Sequence, residues 1–280
     1  MQKTKNDILL KLAGYILTPA ILLLIWQLTA SIYNKPYMYP TFTAVLKQLT
    51  NPCQDHYTLG SLMSNTAISL LRVATGFIIA AIVGISVGLA LGTSKILCRL
   101  FEPVIEIIRP LCPIAWMPFA IAIFKLKTIP NMIGMGYTNT VFDQVQLSMI
   151  FILFMGGFFP IMTNTLDGVI GVRKNYLILA QALGANRRQQ FFHVYLPAAM
   201  PMILTGLRQG LGLCWFVIIA AEMTIGADSG IGYMLIYAAD LSDMDIVVAA
   251  MMIIGTIGAT LNFAMRSAMQ TFVSWHGKEV

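Results

Sequence analysis

The chain alternates between long apolar stretches and short polar segments. The apolar stretches lie at roughly residues 12–32, 67–91, 104–124, 147–162, 203–223 and 246–265. Most of them reach the ~18 apolar residues that a helix needs to cross a bilayer. Lipid cannot satisfy an open backbone, so each stretch is read as a helix. The pattern predicts an all-α polytopic membrane protein with about six transmembrane helices.

Glycine and proline modify two of these predicted helices. Gly84 and Gly88 in the second form a small-xxx-small face, which lets another helix approach closely. Pro110, Pro113 and Pro118 interrupt the third. Two explanations stay open for these prolines: a helix broken where it lines a cavity, or kinks supported by neighbouring helices.

Composition and charge agree with membrane insertion and predict an orientation. Hydrophobic residues make up 58% of the 280 residues and charged residues only 11%, whereas a soluble domain is about a quarter charged. The net charge of +6 is therefore assigned to topology and not to nucleic-acid binding. With a cytoplasmic N-terminus, the inner segments hold most of the 18 cations: Lys3, Lys5, Lys11, Lys95, Arg99, Arg173, Lys174, Arg187, Arg188, Arg266 and Lys278. The outer segments hold Lys35, Lys47, Lys125 and Lys127, so both termini are predicted to be cytoplasmic.

The most informative polar segment is YLILAQALGANRRQQFFHVYLPAAMP, residues 176–201. Its spacing resembles the "EAA" loop of permeases in ATP-binding-cassette importers, E-A-A-x3-G-x9-I-x-L-P. Ala180, Gly184, Leu196 and Pro197 are identical to that pattern, and Val194 replaces its Ile conservatively. The first Glu and Ala of the pattern are replaced by Ile178 and Leu179, so the acid that names the loop is absent.

The residues of this loop predict two short helices. Ala180 and Leu183 favour a helix that ends at Gly184, because glycine readily adopts the left-handed cap. A second helix is predicted from Arg187 to about Tyr195, ending before Pro197. Exposed apolar side chains would then fill a groove in a partner, and the anchors are Ile178, Leu179, Phe191 and Phe192. The alternative is an interfacial hairpin lying on lipid, with Arg187 and Arg188 at the headgroups.

The resemblance covers about residues 62–273. The stretches SLLRVATGFIIAAIVGISVGLALG, EPVIEIIRPLCPIAWMPFAIAIF and LPAAMPMILTGLRQGLGLCWFVIIAAEM are similar to the nitrate/sulfonate/taurine branch of these permeases. The family implies a type I importer permease fold, a permease dimer (here a homodimer), two cytoplasmic ATPase subunits and an external substrate-binding protein. It implies a multi-pass protein of the bacterial inner membrane.

The resemblance also sets domain boundaries. Residues 1–61 hold the N-terminal tail, first helix and outer loop, residues 62–273 the transport domain, and residues 274–280 a cytoplasmic tail. The coupling loop spans about 172–200, and its predicted ATPase-coupling residues are Ala180, Gly184, Arg187, Arg188, Val194, Leu196 and Pro197.

The chain carries no chemistry of its own for nucleotides, metals or catalysis. It contains no G-x-x-x-x-G-K-[ST] phosphate cradle. ATP and Mg²⁺ are accordingly assigned to the partner ATPase, and no cofactor to this chain. No H-E-x-x-H or C-x-x-C occurs, so a membrane-embedded enzyme is disfavoured.

Charges within the apolar stretches mark candidate pathway residues, because they are costly in lipid. Arg208 and Glu222 lie 14 residues apart, so they share one helical face at about 21 Å and cannot pair directly. Arg109 begins the third predicted helix, within pairing distance of Glu106. Trp116 and Trp215 are further candidates for shaping a cavity. Snorkelling or internal ion pairing remains the alternative for the charges, and packing or an interfacial position for the tryptophans.

The resemblance favours a small anion as cargo, such as nitrate, a sulfonate like taurine, or bicarbonate. A pyrimidine- or riboflavin-like nutrient is the alternative cargo, and a secondary transporter or channel the alternative class. The outer connection at residues 125–146 looks longer than the branch usually has. Two explanations stay open: a contact for the binding protein, or a tolerated loop insertion.

Overall fold

The computed structural model describes residues 2–33, 35, 37–56, 59–125, 127, 128, 130, 141–224 and 227–272. Their side chains are described except at 2–16, 19, 141, 142 and 272. The C-terminal tail 274–280 and most of the long outer connection at 125–146 therefore lie outside the described residues. Contacts divide the chain into two units: Met1–Ser64 with Met234–Ile254, and Asn65–Tyr233 with Gly255–Val280.

All named secondary-structure elements in the described part of the chain are helices, which confirms the all-α prediction. The helices are α1 (Gln2–Tyr33), α2 (Phe42–Thr50), α3 (Leu62–Thr93), α4 (Lys95–Ile108), α5 (Met117–Phe124), α6 (Leu147–Ile170), α7 (Lys174–Ala182), α8 (Arg187–Gln190), α9 (Leu196–Glu222), α10 (Ile231–Asp240) and α11 (Met244–Phe272). Short 3-10 turns occupy Pro113–Trp116 and Val141–Gln144, and a π-helical turn at Phe191–Tyr195 joins α8 to α9.

Four described helices are long and apolar enough to cross a membrane: α3, α6, the continuous segment Arg187–Glu222, and α11. A fifth span is formed if α4 and the segment Pro113–Phe124 count as one broken crossing. The first predicted span falls within α1, whose apolar part with described side chains is the shorter Ala20–Tyr33. The predicted apolar stretches thus coincide with helices, except that the third is divided between two helical segments.

The boundaries of the third predicted span are wrong. Its helix begins at Lys95, capped by the Ser94 hydroxyl, and ends at Ile108, so Arg109 closes this helix and does not open it. The chain then bends by 91° before Pro113–Phe124. Pro118 does not break a helix, because it occupies the first turn of α5, where the backbone N–H that proline lacks would have no partner within the helix.

A helix was also missed in the last predicted outer loop. Ile231, Met234 and Ala238 in α10 are each 0% exposed, and their spacing matches one face of a helix. The aspartates around this segment suggested a loop, but they lie at its ends. Its length of 10 residues is below that of a membrane span.

The first unit is organised around α1 and α2. The Trp26 indole Nε1–H donates to the Pro40 carbonyl at 3.0 Å. Its ring meets that of Phe42 edge-to-face with centroids 5.6 Å apart. Thr41 caps α2 by accepting from the Ala44 N–H.

The second unit is built on α6, which has its largest interface with α9. On another side, α3 presents a glycine row to α6. A Cβ at Gly84 would lie 3.0 Å from Ile161, and one at Gly88 would lie 2.7 Å from the Met162 carbonyl. The predicted small-residue face is therefore confirmed, and its partner is α6.

Candidate functional site

The loop between α6 and α9 begins with a helix that glycine ends. Gly184 follows α7 with φ +79°. Its N–H donates to the Gln181 carbonyl, and the Ala185 N–H donates to the Ala180 carbonyl, each at 2.9 Å. These two bonds form a Schellman motif, in which the left-handed residue satisfies the last carbonyls of the helix. The predicted helix end at Gly184 is confirmed.

A capping box starts the second half of the loop. The Gln189 N–H donates to Asn186 Oδ1 at 2.9 Å, and the Asn186 N–H donates to Gln189 Oε1 at 2.8 Å. Two of the donors that every helix start leaves unpaired are satisfied in this way. Arg187 and Arg188 follow, both exposed and without an ion pair among the described residues.

The predicted end of this helix before Pro197 is wrong. The helical segment continues from Arg187 to Glu222. In its π-helical turn the Leu196 N–H donates to the Phe191 carbonyl, one residue further back than in an α-helix. Pro197 directly follows this π-helical turn, which is where the continuous segment accommodates a residue that lacks an N–H. The loop is consequently joined to α9 without a break.

The folded loop forms an open, shallow apolar cleft of about 380 Å³. Its lining consists of Tyr176, Leu179, Ala180, Leu183, His193, Val194, Pro197 and Ala198. Leu183 is 80% exposed and Leu179 60% exposed, so large apolar side chains stand at the surface. Such a surface is typical of a contact with another protein or with lipid.

The predicted coupling residues divide between this cleft and its support. Ala180, Val194 and Pro197 line the cleft. Leu196 packs instead on the buried cluster of Val169, Ala199 and Ile203, which belongs to α6 and α9. Gly184, Arg187 and Arg188 remain exposed on the loop.

The candidate pathway residues do not form one cluster. Arg109 lies 3.9 Å from Glu106 in an exposed i, i+3 pair. Trp116 meets the rings of Phe119 and Phe151, with centroids 5.8 and 6.3 Å away. Trp215 is 2% exposed, and a Cβ on Gly258 of α11 would lie only 3.2 Å from its indole.

Arg208 and Glu222 have separate partners. Arg208 Nε donates to Asn262 Oδ1 of α11 at 2.7 Å. Glu222 is 0% exposed and forms an ion pair with Arg72 of α3, at 2.7 Å between Nη1 and Oε1. The Ser69 hydroxyl lies 2.8 Å from both Glu222 oxygens, and the Gly232 N–H donates to Oε2 at 3.0 Å.

Arg72 is fully hydrogen-bonded in this buried network. Its Nη1 also donates to the Ser229 carbonyl at 2.7 Å, and Nη2 donates to the Ser229 hydroxyl at 2.9 Å. Nε and Nη2 both donate to the Gln144 carbonyl, at 2.9 and 2.6 Å. The five guanidinium N–H groups thus tie α3 to the end of α9, to the turn before α6 and to the chain entering α10.

Sequence reasoning missed Arg72 as the partner of Glu222. The two residues are 150 positions apart, and no local spacing connects them. The available signal was chemical: an acid at the end of one apolar stretch requires a cation, and Arg72 lies in another.

A family model and several relatives agree on the family of this chain. Residues 80–275 match the family model described as "Binding-protein-dependent transport system inner membrane component". A provisionally assigned ABC transporter permease protein of Methanocaldococcus jannaschii is 40% identical, with 92% of this chain and 90% of that protein covered. The nitrate import permease protein NrtB of Synechocystis is 34% identical, covering 87% and 82%.

A third relative and a solved structure extend this result. The taurine transport system permease protein TauC of Escherichia coli is 33% identical, covering 93% of this chain and 89% of TauC. A chain of the MetNI methionine ABC transporter, solved in inward-facing conformations, has a TM-score of 0.61. It is 16% identical and covers 75% of this chain and 95% of that chain, which supports the type I importer permease fold. The chain belongs to the inner membrane component family of binding-protein-dependent transport systems, as a multi-pass ABC transporter permease.

Proposed function

We propose that this permease forms the pathway of an ATP-driven importer and receives its motion through the loop at 172–200. The observation that carries the proposal is the apolar cleft between Tyr176 and Ala198. A cleft lined by exposed Leu179 and Leu183 offers an apolar surface against which an apolar element of a second protein can pack. ATP and Mg²⁺ belong to that protein, a cytoplasmic ATPase present in two copies.

The connection of this loop to the membrane helices supports a lever. Leu196 is packed on α6 and α9, and the helix is continuous from Arg187 to Glu222. A push on the loop is therefore transmitted to α9 without an intervening flexible joint. In the proposed cycle, closure of the ATPase pair moves two permease copies to open the outer side, and hydrolysis resets the inward-facing state.

The proposed orientation places both termini and the coupling loop in the cytoplasm, at the bacterial inner membrane. The excess of Lys and Arg in the segments assigned to the inside supports this topology. An external binding protein delivers the cargo from the opposite side. The proposed cargo is a small anion, supported by relatives whose names specify nitrate import and taurine transport.

The coupling proposal is tested by co-purifying the tagged permease with its cognate ATPase. The test variant is Gly184→Trp, because no atom of this chain lies within 4 Å of a Cβ built at Gly184. The new side chain would meet the partner and not the permease, although the positive φ adds strain of about 1–2 kcal/mol. The matched control is Gln181→Trp, an exposed position on the opposite face of α7 from the cleft.

We expect wild type and the control to co-purify with the ATPase. Gly184→Trp should lose most of the co-purified ATPase although it inserts into the membrane to the same extent. Retention of the ATPase by Gly184→Trp at the wild-type level would contradict a docking surface at this loop. Failure of the wild type to retain any ATPase would contradict the ATP-driven class and favour a secondary transporter or channel.

A further inference from the structure

Polar side chains of α6, α9 and α11 form two exposed hydrogen bonds in the second unit. Arg208 of α9 donates through Nε to Asn262 of α11 at 2.7 Å. Its neighbour Gln209 accepts from Asn164 Nδ2 of α6, at 2.9 Å between Nδ2 and Oε1. The two hydrogen bonds fix a guanidinium and a carboxamide on adjacent positions of one helix.

The amide groups that these two hydrogen bonds leave unpaired are N–H donors. Asn262 uses its oxygen on Arg208, so its NH₂ group remains available. Asn164 Nδ2 also donates to the Pro160 carbonyl at 2.7 Å, which identifies this atom as the amide nitrogen. Gln209 must then present its oxygen to Asn164 and keeps its own NH₂ group free.

The guanidinium of Arg208 is only partly used. Among the described residues, neither of its Nη groups has a hydrogen-bond partner, and no carboxylate lies within ion-pair distance of it. By contrast, Arg72 uses all its N–H groups inside the protein. Arg208 therefore carries a full positive charge with up to four N–H donors that remain to be satisfied.

Arg208 lies on the helical segment Arg187–Glu222, which is long and apolar enough to cross a membrane, about 21 Å before its end at Glu222. Ionised side chains within membrane-spanning helices almost always face protein or a water-filled cavity. One turn away, Gly212 has no atom within 4 Å of a Cβ built on it, so open space adjoins the site.

We propose that Arg208, oriented by Asn262, is an oxyanion-binding site within the translocation pathway. The free edge of the guanidinium presents two parallel N–H donors, which match two oxygens of one nitrate or sulfonate group. The NH₂ group of Asn262 adds a donor beside the guanidinium. The inference rests on the proposed import function for the arrival of the anion, but the binding site itself is testable without transport.

The test measures anion binding by the full-length permease in lipid nanodiscs. Sodium nitrate and, separately, sodium methanesulfonate are titrated calorimetrically at constant ionic strength set with sodium chloride. The decisive variant is Asn262→Asp, which keeps an acceptor for Arg208 Nε but adds a negative charge at the site. We expect its affinity for either anion to fall at least tenfold, because a charge-assisted hydrogen bond is weakened and the site is neutralised.

A purely structural Arg208–Asn262 contact would respond in the opposite way. Asn262→Asp would preserve or strengthen the Arg208 contact, so neither the melting temperature nor anion binding would fall. Arg208→Lys keeps the charge without the planar fork, and we expect it to bind more weakly than wild type. Arg266→Gln is the matched control, one turn further along α11 and exposed, and it should bind as wild type does.

Absence of saturable binding of both anions to wild type would overturn the site, as would an Asn262→Asp affinity within twofold of wild type. This failure is separable from failure of the proposed function. Loss of anion binding with the ATPase retained removes only the site. Arg208-dependent anion binding without ATPase retention removes the coupling and leaves the site.

Discussion

Replacing Glu222 by Gln should destabilise the permease far more than the same substitution at an exposed acid. Glu222 is 0% exposed, and its two oxygens face donors on both sides: Arg72 Nη1 at Oε1 and the Gly232 N–H at Oε2. Glutamine has one oxygen and one NH₂ group, so one of these two donors must then face another donor. The buried Arg72 also loses its counter-charge.

The expected magnitude follows from these losses. Removing one partner of a buried ion pair costs about 3–5 kcal/mol, much of it from the charge left behind. For a chain of this size that corresponds to a fall in melting temperature of about 10 °C. Glu106→Gln is the matched control: Glu106 is 67% exposed and 3.9 Å from Arg109, so its loss should change stability by less than about 1 kcal/mol.

The assay is thermal unfolding of the purified variants in one detergent, followed by near-UV circular dichroism. A double variant, Arg72→Met with Glu222→Gln, removes the stranded charge, so its loss of stability should be smaller than the sum of the two single-variant losses, by a coupling energy of about 1–3 kcal/mol. Equal melting temperatures for Glu222→Gln and Glu106→Gln would refute this reasoning. Strict additivity in the double variant would refute the pairing itself.

Three further predictions follow from other contacts. Gly88→Ala should destabilise the protein by about 1–3 kcal/mol, because its Cβ would lie 2.7 Å from the Met162 carbonyl. Gly212→Ala is the control, because its Cβ meets no atom within 4 Å, and the melting temperatures of the two variants are compared. Asn186→Ala removes one side of the capping box and should reduce stability by about 1 kcal/mol, while Asn186→Ser should retain most of it; equal losses would argue against capping. The purified permease alone should show no ATP hydrolysis in a phosphate-release assay, and turnover by the isolated chain would contradict the assignment of ATP to a partner.

Local signals predicted local structure well. The helix end at Gly184 followed from the demand of the left-handed cap for glycine, and the structure gives φ +79° there. The close approach of α3 to a neighbour followed from Gly84 and Gly88. In each case the residue type itself carries the geometric requirement.

Predictions failed where several residues decide the outcome together. Pro197 looked like a helix end, but the π-helical turn before it places the proline in the first turn of α9. The Arg72–Glu222 pair joins residues 150 positions apart, so only the folded chain brings it together. Arg208 and Glu222 share a helix, yet their partners lie on α11 and α3 respectively, which no spacing within α9 could reveal.

The central claim, an ATP-driven permease moved through its loop, is tested most directly by transport in sealed vesicles. The permease, its cognate ATPase and its binding protein are reconstituted, and uptake of labelled nitrate and of labelled taurine is followed with and without ATP on the ATPase side. We expect uptake of at least one of these two solutes that requires ATP, persists when ion gradients are collapsed, and is lost in Gly184→Trp but not in Gln181→Trp. Uptake that proceeds without ATP and disappears when ion gradients are collapsed would contradict the account.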